Sequence, residues 1–325
     1  MPTDGRPLVA LGEVRTCLLP DSAALSRGAA VDLLDVVLGR PGLSRERPLD
    51  WAESPRLAVG IDCQLVPHVR SRGVGTIATN ALIIGGRVLQ SSAHAIVAAP
   101  AASSGQRRTW SHYLGRVGTV ELLTGASDTI SDRLVVGFLS TVRAAGPVLD
   151  LTAVSTRLLT KVHSDVRLDQ QPPLLVEPTQ LRWAARVVPG AQASVLFGLH
   201  QDRIRTALVT IGSVDDLPEV RRYCQDLAVH DWLLTAVIDV IEDAEFAQTS
   251  GSTPESVLAP ALQHLAHLWM PSAHTPAPLR CLWEQLEKDP GFSRQWHARI
   301  GQLRDRVAVA TLAALHRTPA QMRQW

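Results

Sequence analysis

The chain has 325 residues, of which 46% are hydrophobic and 19% are charged, and its formal net charge at pH 7 is +1. This composition supports a sizeable core and excludes global disorder. The balanced charge excludes a general electrostatic attraction to nucleic acid or to an anionic membrane. The length allows one large domain or two ordinary domains.

The basic residues are almost entirely arginine, because Lys161 and Lys288 are the only lysines among 32 basic side chains. This bias, together with many Ala, Leu, Val, Gly and Pro residues, is typical of high-GC actinobacterial genes. The four cysteines form no Cys-x-x-Cys pair, which is typical of reduced thiols in a cytoplasm. The start of the chain lacks the apolar segment of a signal peptide, and no run reaches the ~18–20 apolar residues of a membrane span. We therefore expect a soluble cytoplasmic protein with no membrane partner.

Strands and helices alternate in the first half of the predicted structure. Apolar spacing and the positions of Gly and Pro define the boundaries of these elements. The pattern predicts a strand at 7–19, a helix at 21–38, extended chain at 56–69, a surface loop at 98–108, a strand at 110–123, and helices at 128–144 and 148–163.

The second half begins with strands and ends in helices. Apolar residues in the first and last of these helices recur at steps of three and four, so each helix has one apolar face. Two such faces predict an antiparallel helical bundle or cap. The strands are predicted at 174–188, 192–200 and 203–211, and the helices at 217–245, from Thr253 onward, at 278–288 and at 292–316.

These elements predict an α+β protein with three parts. Residues 1–165 are expected to form a β-rich α+β domain around a central buried hairpin. Residues 166–212 are expected to form a small antiparallel β unit with a second sheet. Residues 213–325 are expected to form an all-helical C-terminal region.

The most informative segment is the hairpin from Gly73 to Val97. Its Gly85-Gly86 pair is typical of a two-residue hairpin turn, and the flanking runs are apolar on both faces, so we expect the hairpin to be buried. Buried polar groups need partners, so the polar side chains of the hairpin either bond one another or form the wall of a site. A two-residue turn pairs Thr79 with Ser92 and Asn80 with Ser91.

One face of this hairpin is a candidate ligand site, because Gln90, Ser92 and His94 lie on the same side of one strand. A Ser92–His94 nucleophile and base would lack the GxSxG elbow that exposes a serine. A GxGxxA match at 73–78 lacks the strand-then-helix context of a dinucleotide site. The candidate ligand-site residues are Arg72, Asn80, Gln90, Ser92, His94, Trp110 and His112.

Asp231 is a candidate buried charge, because it lies in the apolar stripe of the predicted helix 217–245. A buried carboxylate must be paired, hydrogen-bonded or protonated. The expected partner is Arg299 or Arg306 of the last helix, or a histidine near His264. The alternative to a structural ion pair is a carboxylate that binds a metal or transfers a proton.

Several histidines raise the same question of a metal site. His230 lies four residues after Asp226, and His264 and His267 lie three apart on another predicted helix, with His297 on a third. The chain has no paired Glu-x-x-His motif, and His267 points away from the apolar face of its helix. We therefore predict no metal and no cofactor.

The chain contains the runs RGVGTIAT, GGRVLQSSAH, WSHYLGRVG, LRWAA, HDWLLTAV, HLWMP and FSRQWHARI. Together these seven runs resemble an uncharacterised actinobacterial family. The resemblance covers nearly the whole chain and implies an actinomycete origin. It also implies a role beside neighbouring gene products, which in this family are a variant P-loop protein and a methyltransferase-like protein. It implies no reaction and no catalytic residues.

The sequence contains no recognisable catalytic signature, and its helices are rich in arginine and tryptophan, which are enriched at protein interfaces. We therefore expect a non-enzymatic scaffold or adaptor of a multi-protein actinobacterial system. Its expected partners are proteins encoded nearby, and nucleic acid is not among them; a homo-oligomer stays open. The alternative is an enzyme or a small-ligand-binding protein with a site between the hairpin at 73–97 and the segment of Trp110 and His112.

Overall fold

The computed structural model describes residues 6–36, 40–67, 69–99, 107–123, 129–140, 148–200, 203–249 and 255–321. These residues form ten strands and eight α-helices. None of the described helices is both long enough and apolar enough to cross a membrane. The strands are β1 Pro7–Leu18, β2 Leu43–Arg45, β3 Trp51–Glu53, β4 Leu57–Gln64, β5 Arg72–Ile84, β6 Val88–Ala98, β7 Thr119–Leu122, β8 Thr179–Val187, β9 Ser194–His200 and β10 Ile204–Ile211. The helices are α1 Arg27–Leu33, α2 Trp110–Leu114, α3 Ile130–Leu139, α4 Leu151–His163, α5 Val220–Thr249, α6 Glu255–His264, α7 Cys281–Lys288 and α8 Phe292–Gln321.

All ten described strands belong to one mixed sheet with the order β2-β3-β5-β7-β6-β1-β8-β10-β9, and β4 also pairs with β5. The α+β class is therefore confirmed. The second, smaller sheet expected within residues 166–212 is not formed, because β8 pairs antiparallel with β1 and continues the same sheet. The sheet thus crosses the expected boundary at residue 165.

Helices cover both faces of the sheet, and the alternation of strand side chains decides which residues meet them. In β1, Ala10, Val14 and Leu18 belong to the core packed against α5–α8, and we call this side of the sheet the bundle face. Val9 and Leu11 point to the opposite face, where α3 and α4 pack. The central strands are buried on both faces, as their continuous apolar sequence predicts.

Two predicted elements differ from those observed. The helix expected at 21–38 is limited to α1, because the Ser26 hydroxyl accepts a hydrogen bond from the Ala29 N–H and caps the helix there. The strand expected at 110–123 is instead α2 followed by β7, with Gly118 between them at φ +81°. Much of the predicted loop at 98–108 and the predicted helix start at Thr253 lie outside the described residues.

The hairpin turn has three residues rather than two. Gly85 and Gly86 have φ values of +57° and +64°, which favour glycine, and Ile84 pairs with Val88 across the turn. The extra residue shifts the register of the hairpin by one. A shift of one residue changes every cross-strand partner along the two strands.

The shifted register changes the predicted polar pairs. Asn80 lies opposite Ser92, whereas Thr79 lies opposite Ala93 and Ser91 lies opposite Ala81. The expected Thr79–Ser92 and Asn80–Ser91 pairs are therefore wrong. Within the described part of the chain, the hydroxyls of Thr79, Ser91 and Ser92 have no hydrogen-bond partner.

The glycine motif at 73–78 has a packing role in β5. The short strand β7 lies between β5 and β6 where these strands separate, and Gly75 pairs with Val120. A Cβ atom at Gly75 would lie 2.2 Å from the Thr119 carbonyl oxygen. Glycine at this position therefore allows the close approach of β7, and no helix follows as a dinucleotide site requires.

Candidate functional site

A cavity of ≈260 Å³ lies between the bundle face of the sheet and the beginning of α5. Strands β3, β5 and β6 form one wall, and the first turns of α5 and the connection 273–280 between α6 and α7 form the other. Four arginines contribute to its lining, so we call it the arginine-rimmed cavity. They are Arg45, Arg47, Arg222 and Arg280.

A buried ion pair holds α5 against the sheet beside this cavity. The Arg221 guanidinium donates from Nη1 to Glu53 Oε1 at 3.1 Å and to Gln225 Oε1 at 2.9 Å. The Asn80 amide donates to the same oxygen of Glu53 at 2.8 Å. Arg221 is 2% exposed, so burial lowers its pKa while the Glu53 carboxylate opposes that shift. These bonds keep the first turns of α5 in a defined position.

This network also sets the orientation of two amides that line the cavity. Because Gln225 Oε1 accepts from Arg221, the Gln225 amide nitrogen is left without a partner among the described residues. The Gln90 amide nitrogen donates to Thr16 Oγ1 at 3.1 Å and to the Gln225 carbonyl oxygen at 2.9 Å. Gln90 Oε1 is consequently the unpartnered atom of that amide. The cavity therefore has one fixed amide donor and one fixed amide acceptor.

Asp226 adds a buried carboxylate to the same cavity. Its Oδ2 accepts from Thr275 Oγ1 at 2.6 Å and from Trp283 Nε1 at 3.2 Å. Its Oδ1 is buried and has no hydrogen-bond partner within the described ranges. Burial raises the pKa of Asp226 to about 6, although the hydrogen bond from Thr275 acts in the other direction. A carboxyl with this pKa exchanges its proton near neutral pH.

An aromatic pair closes one side of the cavity. Trp51 and His274 meet edge to face, with ring centroids 5.7 Å apart. His274 Nε2 is buried and, within the described structure, makes no hydrogen bond. Burial lowers the pKa of His274, so the ring is neutral at neutral pH. A neutral imidazole can donate or accept at that nitrogen according to its tautomer.

The arginines make the mouth of the cavity positively charged. All four are exposed residues at its lining, and the Arg45 guanidinium lies 5.7 Å from the centroid of the Trp51 ring. Arg222 forms a surface ion pair with Glu219 at 3.3 Å. Among the described residues, Arg45, Arg47 and Arg280 have no acidic partner. Glu53 faces the same cavity, but Arg221 neutralises its charge.

A larger groove of ≈770 Å³ lies elsewhere, between α4, α5 and the segment before β8. Its lining combines apolar side chains with Asp239, Glu242 and Asp243. None of the described residues that line it holds a buried polar atom without a partner. The smaller cavity is therefore the better candidate site, because unsatisfied buried polar atoms are rare in folded proteins.

The structure separates the candidate ligand-site residues that the sequence suggested. Gln90 lines the arginine-rimmed cavity, and Asn80 binds Glu53 next to it. Ser92 and His94 follow Gln90 on the bundle face, but they do not line the cavity. Burial lowers the pKa of His94 to about 3, with Arg221 and Arg56 adding to the effect.

The other three suggested residues make contacts away from the cavity. Arg72 pairs with Asp62 at 2.9 Å, and His112 Nε2 lies 2.8 Å from Glu121 Oε1. Trp110 lies over the backbone of Gly60 in β4. The wall opposite the hairpin is therefore α5 and the connection 273–280, in place of the segment that holds Trp110 and His112.

Asp231 forms a buried ion pair with a strand of the sheet. Arg205 of β10 donates from Nε to both carboxylate oxygens of Asp231, at 3.1 and 3.0 Å. The expected partners are wrong, because Arg299 bonds Gln302 and Arg306 bonds Glu245 and the Ile241 carbonyl oxygen. Burial raises the pKa of Asp231 to about 6, and Arg205 opposes that shift.

His230 uses both ring nitrogens within the fold. Its Nδ1 lies 2.7 Å from the Asp226 carbonyl oxygen, and its Nε2 accepts from the Met270 N–H at 3.1 Å. Burial lowers the pKa of His230 to about 4, so the ring stays neutral. Neither nitrogen is left for a metal. Among the described residues, no group of three His, Cys, Asp or Glu side chains could hold a metal ion.

Sequence reasoning missed the role of Gln225, Asp226 and His274 in the cavity. A signal was present, because Arg221 and Gln225 lie four residues apart, as do Asp226 and His230, within an apolar helix. Residues 223–234 of α5 are all buried, so these polar side chains cannot lie on a solvated face. Polar pairs at this spacing in an all-buried helix indicate an internal network or a site.

Known proteins provide no parallel for this fold and cavity. Comparison with protein-family models, with curated proteins and with solved structures finds no match. Because a fold alone does not determine a function, the chemistry of the cavity is the basis for a functional assignment.

Proposed function

We propose that the protein binds a small anionic ligand in the arginine-rimmed cavity. The observation that carries this proposal is a set of four buried polar atoms, unpartnered among the described residues, on side chains that line one cavity. They belong to Gln90, Gln225, Asp226 and His274. Because a buried polar group without a hydrogen bond costs ~1–3 kcal/mol, such a cluster is favourable only when a ligand or water fills it.

The charge of the cavity favours an anion. Arg45, Arg47 and Arg280 have no acidic partner among the described residues, and guanidinium groups match phosphate and carboxylate in geometry. A volume of ≈260 Å³ lies below the ~300–1,000 Å³ of typical drug-sized pockets. The ligand is accordingly small, with one phosphate or carboxylate group at the arginines.

The proposal predicts that inorganic phosphate and pyrophosphate bind the protein at low ionic strength. Isothermal titration calorimetry measures this binding. Arg222→Gln and Arg280→Gln should each weaken it at least about tenfold, because one charge-assisted hydrogen bond contributes ~1.5–3 kcal/mol. Arg299→Gln is the matched control, since it removes the same charge from an exposed site on α8. Equal losses in all three variants, or no binding to the wild type, would contradict the proposal.

The second candidate function is the scaffold or adaptor role in an actinobacterial cytoplasm, with partners encoded nearby. One observation favours it. β9 is an edge strand of the described sheet, and Leu196 and Leu199 on it are 70% and 66% exposed. An edge strand offers unpaired backbone groups that another chain can join.

The adaptor role predicts that a tagged wild-type chain copurifies with neighbouring gene products from an actinobacterial host. The double variant Leu196→Glu and Leu199→Glu should lose these proteins, because charges on an edge strand oppose pairing. Leu312→Glu on α8 is the control, since Leu312 is 57% exposed. Recovery of the wild-type chain alone would count against this role.

A further inference from the structure

We infer that the ligand of the arginine-rimmed cavity is a zwitterion, with a phosphate or carboxylate group at the arginines and a primary ammonium group at Asp226 and Gln90. This inference rests on the proposed function and adds the chemical class of the ligand. It follows from the different polarity of the two ends of the cavity.

The inner end of the cavity presents two acceptor oxygens, on Asp226 and Gln90, beside one donor, the Gln225 amide nitrogen. Asp226 is 1% exposed and Gln90 is fully buried, and each holds an oxygen without a partner within the described chain. The orientation of the Gln90 amide is set, because its nitrogen already donates to Thr16 and to the Gln225 carbonyl. Two acceptor oxygens without donors call for a group that carries several N–H bonds.

A cationic donor fits this end better than a neutral one. The Asp226 carboxyl already accepts from Thr275, from Trp283 and from the His274 backbone N–H, so its negative charge is shared with neutral donors. His230 at 3.4 Å from Asp226 Oδ1 is neutral, because its Nδ1 donates to a backbone carbonyl and its Nε2 accepts from Met270. A buried carboxylate is costly unless a cation pairs with it, and the two titratable groups nearest Asp226, the rings of His230 and His274, have pKa values that burial lowers, so neither is a cation at neutral pH.

The outer end has the opposite character. The exposed guanidinium groups of Arg45, Arg47 and Arg280 lack acidic partners in the described residues. A ligand with a single negative group would satisfy the arginines and leave Asp226 unpaired. A ligand with a single ammonium group would pair with Asp226 and leave the arginines without an anion. Only a molecule that carries both groups complements both ends of the cavity.

The inference is tested with phosphoethanolamine, ethyl phosphate and phosphocholine on the full-length protein. These molecules share the phosphate monoester and differ in the other end, which is a primary ammonium, a methyl group or an ammonium without N–H bonds. We expect phosphoethanolamine to bind at least about tenfold more tightly than either of the others, measured by calorimetry. Equal affinity for all three would overturn the inference and leave the proposed anion site intact.

A variant separates the two ends of the cavity. In Asp226→Asn the preference for phosphoethanolamine over ethyl phosphate should disappear, because the carboxylate that pairs with the ammonium group is gone. A retained preference would overturn the inference. If this variant does not fold, the comparison of the three ligands on the wild type still decides the matter. Absence of binding by any phosphate would refute the proposed function together with this inference.

Discussion

Replacing Asp231 with alanine is expected to lower the free energy of unfolding by about 3–5 kcal/mol, because the change removes one partner of a buried ion pair. The side chains of Arg205 and Asp231 are 7% and 8% exposed, and Arg205 Nε donates to both carboxylate oxygens. Without Asp231, Arg205 keeps its hydrogen bond to Thr235 but loses both hydrogen bonds from its Nε. Urea denaturation, followed by circular dichroism, measures the change.

Two further variants distinguish this cause from a general effect of removing a carboxylate. Glu245→Ala breaks the more exposed pair with Arg306 on the outside of the helices and should cost less than about 1 kcal/mol. The double variant Arg205→Met and Asp231→Leu removes both charges and should recover most of the loss, since packed apolar side chains replace a buried pair well. A loss of similar size in Asp231→Ala and Glu245→Ala would show that the buried pair has no special role.

The parts of the fold that follow from local pattern could be predicted from the sequence. Four predicted elements correspond closely to observed ones. The predicted strand at 7–19 is β1, the helices at 148–163 and 292–316 are α4 and α8, and the apolar stripe from Leu217 onward belongs to α5. Helix and strand periods are properties of neighbouring residues, so a single sequence contains them. The start of α1 was also predictable, because Ser26 is a typical N-cap residue. The apolar residues before it led to a predicted helix that begins too early, at residue 21.

Long-range pairing was not predictable in the same way. The strands after residue 174 could equally form their own sheet or join another, and only their pairing with β1 decides between the two. Likewise, one additional residue in the turn at Gly85 exchanged every polar partner in the hairpin. A register is fixed by contacts across the whole sheet, and a pattern of period two permits both solutions.

The residues that line the cavity were harder still to predict, because they come from distant parts of the chain. Gln90 was recognised as a site residue from its strand, but its partners Gln225 and Asp226 lie more than a hundred residues further along the chain. Asp231 attracted notice because it interrupts an apolar stripe, yet it is an internal ion pair and does not line the cavity. A carboxylate in an apolar helix therefore indicates burial, whereas its role depends on the element that packs against it.

Replacing His230 with glutamine is expected to flatten the loss of stability in acid. In the folded protein the pKa of His230 lies at about 4, below its ordinary value of 6.5, because the ring is buried and neutral. As pH falls below 6.5, the unfolded chain takes up a proton that the folded protein does not, so His230 favours unfolding there. At about 1.4 kcal/mol for each pKa unit, the contribution of this histidine falls by about 3 kcal/mol on acidification.

Other buried groups act in the same pH range, so the prediction concerns a difference between two proteins. His94, with a pKa of about 3, also favours unfolding in acid. Asp226 and Asp231, with pKa values raised to about 6, act in the opposite direction, since their burial costs least when they are protonated. All three remain in His230→Gln, so they cancel when its free energy of unfolding is subtracted from that of the wild type.

The difference in the free energy of unfolding between the wild type and this variant should therefore shrink by about 3 kcal/mol between neutral pH and about pH 4. Urea denaturation at several pH values measures this difference, and parallel curves for the two proteins would mean that His230 accepts a proton in the folded state as readily as in the unfolded chain.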